Sequence, residues 1–566
     1  MEGSALAGAR LAGGGGGRGT GSLDGARSGP GRLRAAGGGA VNRKAWITQV
    51  FGTAPQTEPF DLLIVGGGAT GVGTAVDAAS RGYRVLLVEQ NDFGKGTSSR
   101  STKLVHGGVR YLQQGNVTLV MEALRERGIL LRNAPHLVRD QAFVVPNYAW
   151  WEAPFYGIGM KVYDMLATRY GFGRSRHLSS AEVKERIPTV EEEGLRGGVL
   201  YYDGQFDDAR LLINLAQTAA RQGAKLLNYC PCTGLTFDDA GFVNGARIRD
   251  AESGAEVEVR ARVVVNATGA WVDGVRKMAE PDAPPMIAAS QGIHIVLDRS
   301  FLPGDSAIMV PRTSDGRVMF AIPWHDHVVV GTTDTPIQTL DLEPRAREEE
   351  IDFLIETAAQ YLHRDPTRAD IRSVFVGIRP LVRAAEEADT ASLSRDHTIH
   401  IGPTGLLTIC GGKWTTYRKM AEDCVDHAAQ LGQLDERPCI TKSLAIHGYH
   451  RNAARFQELA GYGADAPALQ VLMKEEPALA ERLSDVLPVV GAQVVWGVRK
   501  EMARTVDDVL SRRTRALQLD ARAARAMAAP VAAIMARELE KDEAWEAAQV
   551  AEFLEIAAGY LPAGVT

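Results

Sequence analysis

Three glycines at fixed spacing mark the first place where this chain can do chemistry. Gly66, Gly68 and Gly71 stand in Gly66-Gly67-Gly68-Ala69-Thr70-Gly71, directly after the apolar run 60–65 and before a helix-like stretch, 72–81. Gly66 permits a tight turn, Gly68 lets backbone N–H groups approach a pyrophosphate, and Gly71 lets the helix pack closely on the strand. Phosphates in that turn meet a helix N-terminus, whose free N–H groups and dipole favour negative charge. A second apolar run, 84–88, ends in Glu89, 18 residues past Gly71. A carboxylate there is placed to accept the two ribose hydroxyls of an adenosine. Strand, glycine turn and helix in this order predict a Rossmann-type dinucleotide site, and this unit alone leaves NAD and FAD both open.

The next segment narrows the choice. Thr97-Ser98-Ser99-Arg100-Ser101-Thr102-Lys103 puts seven hydroxyl and cationic side chains in seven residues. Such a run cannot all face a core and suits a phosphate-rich cofactor, and Gly107-Gly108 lets backbone approach a flat ring. With His106, Arg110 and Tyr111 the stretch resembles the FAD-dependent glycerol-3-phosphate dehydrogenases, the quinone-linked enzymes of bacteria and mitochondria. Two later segments resemble the same family. The strand 263–266 runs into Thr268-Gly269-Ala270, which the resemblance sets against the pyrophosphate or ribose. Gly411-Gly412-Lys413-Trp414-Thr415 opens a helix through 429, its N-terminus aimed at the flavin. A helix end there stabilises the negative charge of a reduced flavin. The cofactor set expected is thus Gly66, Gly68, Gly71, Glu89, Thr97, Ser98, Ser99, Thr102, Lys103, Gly107, Gly108, Thr268, Gly269, Gly412, Lys413 and Thr415.

The resemblance also implies a substrate. Glycerol 3-phosphate is a dianion, and carrying it out of water requires paired cations. Arg110, Arg379, Arg395 and Lys413 are the four expected to converge, with guanidinium forks on the phosphate and Lys413 nearer the C2 oxygen. Oxidation at C2 needs a proton acceptor with a pKa near the working pH. His106, four residues before Arg110, and His294, in an alternating strand, are the candidates, His294 also reading as a hydrogen-bonded core residue. Thr332 and Tyr111 are further candidate contacts. An oxidase using O₂ would share these residues, and a related FAD enzyme acting on a 2-hydroxy acid or amino acid would keep Gly66 and Glu89 without needing both Arg379 and Arg395.

The elements that must position these groups follow from the rest of the chain. With 566 residues and 45% hydrophobic content, it is long enough for two or three domains. The fold expected is α/β: a Rossmann-type FAD-binding domain over 57–440, an antiparallel substrate sheet interleaved at about 275–390, and an α-helical domain over 441–566. In the last, Val495, Val498, Met502, Val506, Val509 and Leu510 recur as one helical face. The Arg512-Arg513-Thr514-Arg515 cluster reads as a solvated helix face.

Residues 1–50 read as a disordered targeting segment. Fifteen of the 60 glycines lie in 1–45, where seven basic residues face two acidic ones. That composition suits a mitochondrial address better than a plastid one. The remaining chain carries 56 basic against 67 acidic residues, a net charge of −11 that argues against nucleic acid as partner. Five cysteines at irregular spacing suit reduced thiols and suggest no metal site, and no calcium loop is found. No apolar run is long enough to span a membrane, so the resemblance implies a quinone acceptor reached by peripheral membrane association.

Overall fold

The computed structural model describes residues 41–52, 56–108, 116–149, 163, 165–166, 173–314, 316–383 and 397–565. Phe60–Val65 and Val85–Val88 form parallel strands, in register from Leu62 opposite Val85 to Val65 opposite Val88. Both are covered on two faces, and strands so placed read as unbroken apolar runs. Their sheet runs in the order His397–Ile401, Leu407–Gly411, Glu256–Asn266, Phe60–Val65, Val85–Val88, Lys225–Leu227. Helices Ala69–Ser80, Asp208–Arg221 and Tyr417–Leu431 pack their apolar residues on one face.

Close packing of the first helix depends on glycine. A Cβ at Gly71 would lie 1.9 Å from the Gly66 carbonyl oxygen, and one at Gly73 would lie 2.9 Å from the Tyr417 ring.

The second sheet is larger than expected. Its order is Thr335–Pro336, Ile287–Asp298, His327–Gly331, Met319–Trp324, Ala307–Val310, Val138–Asn147, Gly197–Phe206, Leu104–Val105, with Ser373–Val382 pairing along Ile287–Asp298. With Arg176–Leu178, which pairs with Gly197–Phe206, four of its strands come from residues 104–206, outside the expected 275–390. The ten-residue strands Val138–Asn147 and Gly197–Phe206 pair over their whole length, and this long-range pairing is not visible in local periodicity.

Two further expectations are corrected. Residues 43–50 of the segment expected to be disordered belong to a helix, Arg43–Phe51, docked on the first sheet, with Arg43 donating to Asn228 Oδ1 at 3.0 Å and to Asp250 Oδ1 at 3.1 Å. Residues 1–40 lie outside the described set. The expected continuous face from Val495 to Leu510 is broken: the helix Gly491–Glu501 stops at Met502, which takes a left-handed conformation, and a separate π-helical turn spans Asp508–Arg513.

The C-terminal helices are not a free-standing unit. Val494, Val509, Leu517, Met527 and Val531 share one core with Val296, Trp324, Val329 and Phe375 of the second sheet. The basic cluster is also buried. Arg512 and Arg513 are 2% and 0% exposed at their side chains, and both bond Asp92 of the flavin-side domain. Arg512 also donates to Asp507 Oδ2 at 2.8 Å and Asp508 Oδ1 at 2.7 Å. The cluster is not a solvated face, because Asp92, distant in sequence, joins Asp507 and Asp508 in countering its charge inside the protein.

Candidate active site

The Gly66–Ala69 turn opens into a cavity of about 1090 Å³, lined also by Glu89, Thr97, Ser98, Thr268–Trp271, Pro380 and Gly411–Trp414. The three cofactor segments expected from sequence therefore converge on one space. Gly66 has φ +114°, and a Cβ there would lie 2.6 Å from the Ala267 carbonyl oxygen. Glu89 is held by backbone, its carboxylate accepting from Gly67 N at 2.6 Å and Asn91 N at 2.9 Å. Burial pushes its pKa up, against the pull of those N–H groups. Ser98 Oγ accepts from Ala69 N at 2.9 Å and so caps the helix that faces the phosphate position. Gly411 and Gly412 have φ +76° and +71°, values that favour glycine.

These residues fit FAD. The helix N-terminus at Gly68–Ala69 would hold the pyrophosphate, Glu89 the ribose, and Gly411–Trp414 the flavin edge, with Lys413 on the cavity wall.

A smaller pocket of about 180 Å³ is lined by Thr102, His106, Gly108, Arg317, Thr332, Arg379 and the acids Asp203 and Asp334. Arg379 donates to Asp334 Oδ1 at 3.1 Å, Thr332 Oγ1 at 3.1 Å and Thr333 O at 2.8 Å, while Arg317 donates to Asp334 O at 2.6 Å. Two guanidinium groups are thus fastened to one residue, Arg379 to the Asp334 carboxylate and Arg317 to its backbone carbonyl, and both still face the pocket. The His106 backbone is tied to the third cofactor segment, its N donating to Thr415 Oγ1 at 3.2 Å.

Several expected site residues do something else. Ser99 is buried, lines neither pocket, and donates to Gly94 O. Lys103 is fully buried against Asp208. The notion that the 97–103 run must face polar space fails because buried partners satisfy it. Thr102 lines the smaller pocket, not the larger. Gly107 serves packing, since a Cβ there would lie 2.3 Å from the Tyr163 hydroxyl. Thr415 is buried and braces His106 rather than lining the larger cavity. Thr268 turns its hydroxyl to Asn266 Oδ1 at 2.7 Å, leaving its backbone at the cavity.

His294 does not line the smaller pocket. Its Nε2 lies 2.9 Å from Thr102 Oγ1, its ring stacks on Phe375, and burial, with Arg379 and Lys103 nearby, drives its pKa well down. It is a buried neutral residue behind Thr102. Lys413 stands in the larger cavity, apart from Arg379. Arg110, Tyr111 and Arg395 lie outside the described residues.

Sequence reading missed Arg317 and Asp203. Thr313 N donates to Arg317 O at 2.8 Å, which sets Arg317 beside the strand Met319–Trp324. For Asp203 the available signal was an acid inside the otherwise apolar run 199–203, a placement costly enough to imply partners.

A dinucleotide cavity on a parallel sheet, joined to a cation-lined pocket on an antiparallel one, defines a flavin-dependent oxidoreductase, and residues 61–418 match the family described as FAD dependent oxidoreductase. Residues 403–546 match the C-terminal domain of alpha-glycerophosphate oxidase. The chain is 41% identical over 525 residues to the mitochondrial glycerol-3-phosphate dehydrogenase of Homo sapiens, covering 87% of this chain and 72% of that one. It is 40% identical over 548 residues to the corresponding protein of Arabidopsis thaliana, covering 89% and 87%. The crystal structure of the Bacillus halodurans glycerol-3-phosphate dehydrogenase complexed with FAD superposes with a TM-score of 0.75, at 29% identity, over 93% of this chain and 98% of that one. The chain belongs to the mitochondrial-type FAD-dependent glycerol-3-phosphate dehydrogenases.

Proposed function

We propose that the protein oxidises sn-glycerol 3-phosphate to dihydroxyacetone phosphate and delivers the electrons to a quinone. The observation that carries this reading is the pairing of Arg317 and Arg379 in a pocket that also holds His106. When bound, FAD supplies the two-electron acceptor for the C2–H bond. The protein's own groups supply the rest. Arg317 and Arg379 hold the phosphate dianion, and the bonds from Arg379 to Asp334 and Thr333 keep its fork from reorienting. His106 takes the C2 hydroxyl proton, its position set by the bond from its backbone N to Thr415. Arg110, Arg395 and Lys413 are assigned to the same anion by resemblance.

The relatives' names support a mitochondrial location, and peripheral attachment to the inner membrane is the mode that brings a quinone within reach. Among the described residues no helix is long and apolar enough to cross a membrane, and no cluster of metal-ligating side chains occurs. Use of O₂ is the second reading, favoured by the match of residues 403–546 to the alpha-glycerophosphate oxidase domain.

One experiment separates these readings. Bound flavin is reduced anaerobically with glycerol 3-phosphate, then mixed with a water-soluble quinone or with O₂. Fast reoxidation by the quinone alone is expected. Failure of glycerol 3-phosphate to bleach the flavin would overturn the substrate, and faster reoxidation by O₂ would overturn the acceptor.

A further inference from the structure

The smaller pocket has two ends of different chemistry. Arg317, Thr332 and Arg379 lie on or beside the strands Met319–Trp324, His327–Gly331 and Ser373–Val382. Asp203 lies on Gly197–Phe206, three strands along from Met319–Trp324, beyond Ala307–Val310 and Val138–Asn147. The cations and the carboxylate thus reach the pocket from different strands of one sheet.

Asp203 is 3% exposed, and its carboxylate is fixed in place. Oδ1 accepts from Arg127 Nη1 at 2.6 Å and Gly204 N at 3.0 Å, and Oδ2 accepts from the Tyr163 hydroxyl at 2.8 Å. Tyr163 in turn accepts from Gly107 N at 2.9 Å, which ties the carboxylate to the segment carrying His106. Leu104 pairs with Gln205 and Val105 with Gly204, so the chain enters His106 directly from a strand paired beside Asp203. An ionised carboxylate has about four acceptor positions. Three are occupied by these bonds, which leaves one on Oδ2 at the pocket wall.

We propose that Asp203 Oδ2 accepts the terminal C1 hydroxyl of the substrate, making Asp203 the residue that selects polyol phosphates with a free hydroxymethyl group beside the oxidised carbon. This rests on the glycerol 3-phosphate reading above. The pocket's polar groups match those of that molecule in kind: the arginines take the phosphate, His106 the C2 hydroxyl, and the carboxylate of Asp203, which an anion avoids, the remaining donor, the C1 hydroxyl. Arg127 neutralises the carboxylate, so it accepts a hydroxyl proton without repelling the dianion at the other end. The C1 hydroxyl is unchanged by the reaction, so the contact binds substrate and transition state alike and acts on KM more than on kcat.

The test is a cycle between protein and ligand. Flavin reduction is measured with glycerol 3-phosphate and with propane-1,2-diol 1-phosphate, which lacks only the C1 hydroxyl, for the wild type and Asp203→Asn. In the wild type, loss of the hydroxyl is expected to raise KM about 10–100-fold with kcat within about threefold; in Asp203→Asn the two substrates are expected to differ by less than about threefold. Should Asp203→Asn fail to hold flavin, Asp203→Leu combined with Arg127→Met removes both members of the buried pair and is read the same way. A wild type that treats the two substrates alike overturns the proposal, as does a variant that keeps the full wild-type preference. A wild type reduced by neither substrate refutes the functional reading instead, which keeps the two failures apart.

Discussion

Lys103 Nζ meets both oxygens of Asp208, at 2.8 and 2.9 Å, in a contact where both residues have no solvent exposure. Gln518, from the C-terminal helices, closes the knot: its Oε1 accepts from Lys103 Nζ at 3.0 Å and its Nε2 donates to Ser99 O at 2.7 Å. Asp208 Oδ2 also accepts from Ser101 N at 3.0 Å. The knot lies between Thr97 and Ser98, on the larger cavity, and Thr102, on the smaller. One charge pair thus holds the stretch of chain that joins the two pockets.

Lys103→Met leaves the Asp208 carboxylate buried without its counter-charge and is expected to destabilise the protein by about 3–5 kcal/mol. Gln518→Ala removes hydrogen bonds without stranding the ion pair and is expected to cost about 1–3 kcal/mol. Urea midpoints at unchanged m-value check both, and a loss in Gln518→Ala larger than in Lys103→Met would contradict the assignment.

Gly71→Ala is expected to abolish flavin binding. The added methyl would stand 1.9 Å from the Gly66 carbonyl oxygen, a backbone atom that cannot swing aside without moving the phosphate-facing turn. The visible absorbance of the purified variant is the readout, and a fully yellow protein would show that the turn relaxes.

Arg379→Ala removes a phosphate partner and also leaves Asp334 facing an anion. Together these are expected to lower kcat/KM about 10²- to 10³-fold, mostly through KM. Adding Asp334→Asn is expected to restore part of that loss, because the stranded negative charge goes with it. Steady-state kinetics on the single and double variants decides whether Asp334 acts as described.

Acid destabilises this fold through histidines that are buried neutral. Burial and the nearby Arg210 pull the pKa of His136 down to about 3 from its ordinary 6.5, while its Nε2 lies 3.0 Å from Asn214 Nδ2. The folded-state value lies below the unfolded one, so above pH ~6.5 neither state is protonated and His136 contributes no pH dependence. As pH falls from about 6.5 toward 3, only the unfolded state takes up the proton, and stability drops by about 1.4 kcal/mol per pH unit. His294 is shifted in the same direction and adds to the slope. Urea midpoints between pH 7 and 4.5 are expected to fall, and His136→Gln is expected to flatten that fall.

The cofactor half of the site was readable along the chain because it is local. Gly66, Gly68 and Gly71 act through turn and helix geometry within a few residues, and Glu89 closes the same βαβ unit. The substrate half was only partly readable. Arg379 and His106, named from sequence, line the smaller pocket, whereas Arg317 and Asp203 come to it through pairings between residues far apart in the chain, Ala307 opposite Phe143 and Gln141 opposite Asp203. The charged residues misled most. Lys103, Arg512 and Arg513 look solvent-bound in isolation, and each has a buried carboxylate partner far along the chain, Asp208 at 105 positions and Asp92 at 420 and 421.

By itself the sequence determined the dinucleotide turn, the order of the three cofactor segments and the change from strands to helices near residue 441, because each depends on backbone propensity and apolar period over short stretches. The tertiary structure alone decided which charges are buried, which histidine lines the smaller pocket and how far the C-terminal helices are bonded into the flavin side. Those outcomes depend on desolvation, and whether a charge can leave water is settled by the partner that folding brings to it.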